Sequence, residues 1–260
     1  MSDWYLIDNK SPYPAAKNMA VDEYLFNLCH KEKKGFFRLY YWDKPSFSIG
    51  VSQRAEKAAN IDYINSSDYA FVRRITGGKT VLHNDEITYS VVSSENIFFQ
   101  DNDLYRSYSM ISGIILKALK ISGIDAYLSG GSTPALSKSN DPCFSFPTPN
   151  EIEVEGKKIV GSAQKRDRQA LLQHGSIPYS MNYSIYASGA NSRKSIIKKN
   201  MITLEDLTDL SRDEIGDNFI KAFSEFTGKE LKNYIFTERD NREIEKLTDK
   251  YSSKEWNFIL

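Results

Sequence analysis

Cysteine is nearly absent from this 260-residue chain, which holds two, Cys29 and Cys143. So few thiols exclude a disulfide framework. The three histidines, His30, His83 and His174, are too scattered for a local zinc site, so no metal is expected. An excess of charge of either sign is missing too. Lysine plus arginine and aspartate plus glutamate both number 34, which leaves no electrostatic footprint for nucleic acid or an anionic membrane. No apolar run approaches the roughly 20 residues that span a bilayer. The opening residues, Met1-Ser2-Asp3-Trp4-Tyr5, lack the basic and apolar regions of a secretory signal. A cytoplasmic protein with reduced thiols is expected. What is present is ordinary for a folded chain: 40% apolar and 26% charged residues, enough for one large core or two small ones.

Apolar spacing predicts an amphipathic helix near 15–31, where Val21, Tyr24, Leu25, Leu28 and Cys29 share a stripe. A cysteine there is a small buried hydrophobe. Phe36 to Tyr41 and Phe47 to Val51 read as strands joined by a Trp42-Asp43-Lys44-Pro45 turn, and Tyr69 to Arg73 as a third. Ile87, Tyr89 and Val91 alternate with Thr88, Ser90 and Val92 in a further strand. Ile111, Ile114, Ile115 and Ala118 mark a second helix, which Gly123 terminates. From about Ser129 to Asn150 the chain is a loop rich in Gly, Ser, Pro and Asn, and loops this long in compact domains are usually functional. Ile152 and Val154 alternate with three glutamates before Gly156 turns the chain back as a hairpin into Lys158-Ile159-Val160. Ser211 and Glu214 form a capping box ahead of the stripe Phe219, Ala222, Phe223 and Phe226. There is no repeat or linker. The expectation is one mixed α+β domain over 1–260, helical from about 203, without a separate accessory domain.

Chemistry concentrates around Cys143, in Asp141-Pro142-Cys143-Phe144. A thiolate is a strong nucleophile, and a nearby cation makes it available at neutral pH. Lys158 follows in Gly156-Lys157-Lys158-Ile159-Val160-Gly161-Ser162-Ala163-Gln164. Beside the sulfur it would favour the thiolate; beside an acyl carbonyl it would stabilise the developing oxyanion instead. The sequence leaves that choice open. The second motif is Arg73-Arg74-Ile75-Thr76-Gly77-Gly78-Lys79, followed by Val81-Leu82-His83. Taken alone it reads as a hairpin turn with solvated basic residues, although paired glycines also let a ligand approach the backbone closely.

These motifs in this order, with Asn18-Met19-Ala20-Val21-Asp22-Glu23, Gly50-Val51-Ser52-Gln53, Leu172-Gln173-His174-Gly175-Ser176-Ile177 and the closing Lys250-Tyr251 to Trp256-Asn257, make the chain resemble the biotin/lipoate ligase and octanoyltransferase superfamily. It looks most like the cysteine-dependent octanoyltransferases of lipoate biosynthesis. The resemblance covers nearly the whole chain. It implies a mixed, largely antiparallel sheet flanked by helices, the catalytic-domain fold of the biotin and lipoate protein ligases. It also implies Cys143 as nucleophile and Lys158 as the active-site lysine. Substrate-binding positions would be Arg73, Arg74, Gly77, Gly78 and His83 of the acyl-binding loop, together with Gln53, Gly161, Ser162, Ala163 and His174. The donor would be acyl carrier protein. The acceptor would be a lysine of a lipoyl domain such as the glycine-cleavage H protein, and no cofactor would be needed.

Many relatives carry Pro where this chain has Ile75 and Arg where it has Lys79; the latter keeps the charge but loses a bidentate fork. Other activities fit the same motifs. A lipoate–protein ligase would activate lipoate with ATP and Mg²⁺, and the glycine loop and Lys158 suit it equally well, but it needs no thiol. An amidotransferase moving octanoyl between lipoyl domains would use the same cysteine. A non-catalytic member would bind lipoyl domains only.

Overall fold

The computed structural model describes residues 3–94, 98, 104–130, 142–145 and 151–259. The remainder of the predicted 129–150 loop lies outside the described residues.

Six strands form the main sheet in the order β10 (Gly161–Arg166), β11 (Leu171–Pro178), β6 (Glu86–Ser93), β2 (Gly35–Tyr40), β1 (Trp4–Asp8) and β12 (Leu231–Asn233). The β10–β11, β11–β6 and β6–β2 pairings are antiparallel, and β2–β1 and β1–β12 are parallel. This is the mixed, largely antiparallel sheet expected. Period-two alternation makes it a central layer with two apolar faces. Phe37, Leu39, Tyr89 and Val91 point to one side, where helices Leu104–Ile121 and Arg212–Thr227 pack. Phe36, Tyr40 and Val92 point to the other, beneath helix α1 (Ala15–Glu32) and helix Glu238–Ser252. The α1 stripe Val21, Leu25, Leu28 and Cys29 lies inside that second core. Cys29 is fully buried, and burial pushes its thiol up to about 11.

Local signals act where expected. Lys33 closes α1 in the left-handed region, and Gly123, at φ 79°, follows the second long helix. Ser211 Oγ accepts from Glu214 N while Glu214 Oε2 accepts from Ser211 N, completing the capping box.

Three readings need correction. The strands on either side of Trp42 do not form a hairpin: β3 (Ser46–Ile49) leaves the main sheet and pairs with β4 (Ala70–Arg73) and β5 (Val81–His83) in a second, smaller sheet. Trp42 is anchored instead to the main sheet by Nε1–H to Thr88 Oγ1 at 2.8 Å. The Gly156 hairpin is shorter than expected, β8 (Ile152–Val154) against β9 (Lys157–Lys158), with β7 (Tyr127–Leu128) on its far side. Finally, the C-terminal portion is not wholly helical, because β12 completes the main sheet.

The last helix, Lys254–Asn257, is tied to the small sheet. Arg73 N donates to Asn257 Oδ1 at 2.7 Å and Trp256 Nε1 donates to Arg73 O at 2.7 Å. The Arg73 guanidinium spans from Asn257 O to the carbonyls of Gly50, Val51 and Gln53. Asn257→Ala leaves a buried N–H without its acceptor and should cost about 1–3 kcal/mol in urea unfolding. A loss below a few tenths would show that this clasp contributes little.

Candidate active site

Cys143 sits on a short turn fixed at both ends. Its N–H donates to Thr80 O at 2.9 Å, Ser145 N donates to Pro142 O at 3.1 Å, and Asn200 Nδ2 donates to Ser145 O at 2.6 Å. The next side chain, Phe144, is fully buried against Tyr186. The sulfur rests on β10 at Gly161, where a methyl group would meet Phe144 at 3.0 Å and Cys143 Sγ at 3.2 Å. A side chain there would press on both, so glycine gives the sulfur its close seat on the strand.

Lys158 reaches the same sulfur from β9. The β8–β9 turn has Glu155 and Gly156 both at positive φ, the two-residue geometry that suits a tight hairpin. Ile202 N donates to Lys158 O at 3.1 Å, so the neighbouring segment steadies the strand end. Lys158 Nζ is 3.2 Å from Cys143 Sγ and 3.0 Å from Cys143 O, and it forms a buried ion pair with Glu151 Oε1. The Phe144 ring covers it at 5.2 Å. Burial opposes the ammonium, but Cys143 and Glu151 outweigh it and hold the Lys158 pKa above its ordinary value. The orientation that sequence leaves undecided is settled: the ammonium faces the sulfur.

The glycine loop folds around Arg74. Its Nε donates to Thr76 Oγ1 and Gly77 O, its Nη2 to Gly77 O and Lys79 O at 2.8 Å, and its Nη1 to Ser48 Oγ at 3.0 Å. Burial pulls the guanidinium down to about 10, which still leaves it cationic at neutral pH. Gly78, at φ 89°, lies so close to Arg74 Nη2 that a Cβ would meet it at 2.8 Å. The loop is therefore built on an internal arginine rather than on solvated basic residues.

Between this loop and β10–β11 lies a small cavity with an open mouth. Its walls include Met19, Tyr40, Trp42, Val81 and Ala163, and Cys143 opens into it. Two histidines form its polar seam. His174 Nδ1 pairs with Asp22 Oδ2 at 2.8 Å and its Nε2 with Thr76 Oγ1 at 2.7 Å. Burial lowers the pKa of His174. Burial works against the Asp22 carboxylate, yet His174 and Arg38 keep it below its usual range. With a neutral ring beside a carboxylate, the proton belongs on Nδ1, so Nε2 accepts from Thr76. His83 bonds Glu86 Oε1 and Ser48 Oγ and stacks on Trp42 at 3.9 Å between centroids.

Of the residues singled out from sequence, Arg74, Gly78, His83, Gly161, Ser162, Ala163 and His174 line the cavity together with Cys143, and Lys158 stands behind the sulfur. Arg73, Gln53 and Gly77 do not line it. Arg73 turns to the C-terminal clasp, Gln53 Oε1 accepts from Gly50 N at 3.0 Å, and Gly77 offers its carbonyl to Arg74. Sequence reasoning missed Glu151, Asp22, Ser48 and Trp42. A signal for Asp22 was present: Arg38 sits inside the apolar strand Phe36-Phe37-Arg38-Leu39-Tyr40, and a charge there demands a buried carboxylate. Arg38 Nη1 to Asp22 Oδ1 is that pair, at 2.8 Å. Among the described residues, no group of three or more His, Cys, Asp or Glu is placed to hold a metal ion, and no helix is long and apolar enough to cross a membrane.

Comparison with known proteins agrees with this geometry. The profile of the lipoyl protein ligase A/B catalytic domain matches residues 14–224. The chain is 37% identical to octanoyltransferase LipM of Bacillus anthracis, covering 98% of each protein. It is 34% identical to octanoyltransferase LipM of Staphylococcus aureus, again over 98% of each. Among solved structures it is similar to Ta0514, a protein described as a lipoate protein ligase of T. acidophilum, with TM-score 0.83 and 25% identity over all of both chains. It also matches a lipoate-protein ligase A crystallised with ATP, with TM-score 0.83 and 25% identity over 99% of this chain and 98% of the other.

Iodoacetamide at pH 8 should alkylate Cys143 in the folded protein and Cys29 only after unfolding, as intact mass and peptide mapping will show. Early labelling of Cys29 would contradict its burial. Gly161→Ala should destabilise by about 1–3 kcal/mol through overpacking against Phe144 and slow the alkylation of Cys143.

Proposed function

The chain belongs to the lipoyl protein ligase A/B catalytic-domain family, and on that premise we propose that it is an octanoyltransferase of lipoate biosynthesis. It would move octanoyl from acyl carrier protein, through a thioester on Cys143, to a lysine of a lipoyl domain such as the glycine-cleavage H protein. The full-length likeness to octanoyltransferases supports the transfer. The observation that carries the mechanism is the 3.2 Å contact between the Lys158 ammonium and a cavity-facing sulfur.

In the first half-reaction the sulfur of Cys143 attacks the donor's thioester carbonyl. The new C–S bond forms, the donor C–S bond breaks, and the donor leaves as a thiol carrying the proton of Cys143. In the second, the acceptor amine attacks the Cys143 thioester. An amide forms, Cys143 departs, and one amine proton returns to its sulfur. The first step exchanges like for like and the second replaces a thioester with a more stable amide, so no ATP is consumed. Negative charge on sulfur is met by Lys158 in both halves.

The cavity walls suit the acyl chain. Met19, Trp42, Val81 and Ala163 offer apolar contact, and at ~0.8 kcal/mol per buried CH₂ an eight-carbon chain gains on the order of 5 kcal/mol. One methylene more or less is worth ~1–3 kcal/mol, which sets a preference for chain length rather than an absolute rule.

Incubation with octanoyl-carrier protein should give a hydroxylamine-labile octanoyl adduct in intact mass, absent from Cys143→Ser. Lys158→Met should lower the acylation rate by about 10²–10³-fold, the scale of a lost charge-stabilising donor. A parallel assay supplies free lipoate and ATP, because the ATP-bound neighbour is a ligase. ATP-dependent lipoylation that survives Cys143→Ser, with no adduct from the carrier, would overturn the transferase reading.

A further inference from the structure

An ammonium has three hydrogens to donate, and Lys158 places all three. Two go to Cys143, at its carbonyl and its sulfur, and the third goes to Glu151 Oε1. Both members of the ion pair are almost sealed from solvent, with side chains 4% and 9% exposed. Glu151 is also held from behind: its N–H donates to Ser129 Oγ at 3.1 Å, and its carbonyl accepts from Ser129 N at 2.8 Å. The residue that begins the β8–β9 hairpin is therefore fixed before its carboxylate meets the lysine that ends it. The next carboxylate along, Glu153, faces the Tyr127 hydroxyl at 3.4 Å instead. Besides Cys143 and Glu151, Tyr108 of helix Leu104–Ile121 also faces Lys158 among the described residues.

We propose that Glu151 is a positioning residue that locks Lys158 as an ammonium aimed at Cys143 Sγ, so that Lys158 serves as a fixed cation and not as a proton-transfer base. The inference rests on the acyl-transfer reading above and adds a division of labour to it. A lysine in this burial without a carboxylate partner would drift toward the neutral amine. With the pair intact, Lys158 has neither a free lone pair to accept a proton nor a spare hydrogen to give a distant carbonyl. Its one catalytic outlet is the sulfur. The proton shed by the acceptor amine then travels to the departing sulfur of Cys143, and the step balances as amine plus thioester giving amide plus thiol.

Glu151→Gln tests this in the full-length protein, because it keeps the shape and removes the charge. The readouts are the rate of Cys143 acylation by octanoyl-N-acetylcysteamine and of its alkylation by iodoacetamide, each from pH 6 to 10. The saturated acylation rate should fall about tenfold, the size of a contact coupling, while the donor KM moves less than about twofold. The basic limb of the profile should move to lower pH: removing the carboxylate that raises the Lys158 pKa lets the ammonium titrate earlier. In a Lys158→Met background, adding Glu151→Gln should change alkylation by less than about twofold. A wild-type rate and profile in Glu151→Gln, or an independent tenfold loss in the Lys158→Met background, would sink the proposal. If Glu151→Gln does not fold, Glu151→Asp takes its place: it should lower the saturated rate at unchanged KM, and a wild-type rate overturns the idea. The two readings separate cleanly. Alkylation that responds to Glu151→Gln in a protein that never takes octanoyl refutes octanoyl transfer alone, whereas octanoylation indifferent to Glu151→Gln refutes the positioning role alone.

Discussion

A positive charge buried beside a sulfur atom is the constraint around which this molecule is arranged. Lys158 is 4% exposed and faces both Cys143 and Glu151. Leaving water costs an ammonium several kcal/mol unless its hydrogens and its charge are both answered. The answer requires a turn, a strand entry and a hairpin end, close in sequence but each anchored to a different part of the fold, to meet within hydrogen-bond distance. Cys143 comes on its turn, tied to Thr80; Glu151 comes on the strand entry, tied to Ser129; Lys158 comes at the hairpin's end, tied through its carbonyl to Ile202. The glycine loop is linked to Cys143 by the same bonds, because Thr80 follows Gly77-Gly78-Lys79 directly. A shift in any of these segments would leave a buried charge unpaired, so the site is rigid for energetic reasons and not only for packing ones.

The second buried charge cluster plays a different part. Arg38, Asp22 and His174 form a buried polar island between α1 and the central strands, with Tyr40 and Ser90 also donating to Asp22. They fix the cavity seam, where His174 bridges Asp22 and Thr76. Truncating one partner of such a network strands the others without water, which ties α1, β2 and β11 to a single geometry. That is how a residue near the start of the chain, Asp22, determines which way a histidine at position 174 presents its ring.

Much of this was legible in the sequence, and what was legible followed from local rules. Period 3.6 located α1 and the helices Leu104–Ile121 and Arg212–Thr227, though not Glu238–Ser252; period two located β6, and Gly123 and Ser211 marked real helix ends. The motif order brought out the thiol and the lysine that the fold unites. The failures are non-local. Trp42-Asp43-Lys44-Pro45 has the composition of a hairpin turn, but whether a strand turns back or crosses to another sheet depends on partners that are remote in sequence. β12 is three residues long and carries no pattern of its own; it is a strand because β1 has a free edge beside it. Arg73 shared a motif with true cavity residues, and adjacent side chains along an extended chain point to opposite faces. Arg74 therefore enters the site while Arg73 leaves it. Glu151 looked like the solvent side of an amphipathic strand, because alternation cannot reveal that a ribbon is covered on both faces.

If the chain is an octanoyltransferase, these contrasts would let one small cavity take an apolar chain beside a thiol. Along the walls the charges are neutralised or dispersed: His174 sits neutral through burial and is fixed by Asp22, and Arg74 spreads its charge over the carbonyls of Gly77 and Lys79 and over the Ser48 and Thr76 hydroxyls. At the cavity's reactive end the opposite holds, since the Lys158 charge is concentrated on one atom 3.2 Å from sulfur. Attraction between charges grows as the local dielectric falls. The apolar chain, by excluding water from the mouth when it binds, would therefore strengthen the very contact that stabilises the sulfur's negative charge. Binding of the acyl group and activation of the nucleophile are then one event, and a substrate too short to dry the cavity would lose rate as well as affinity.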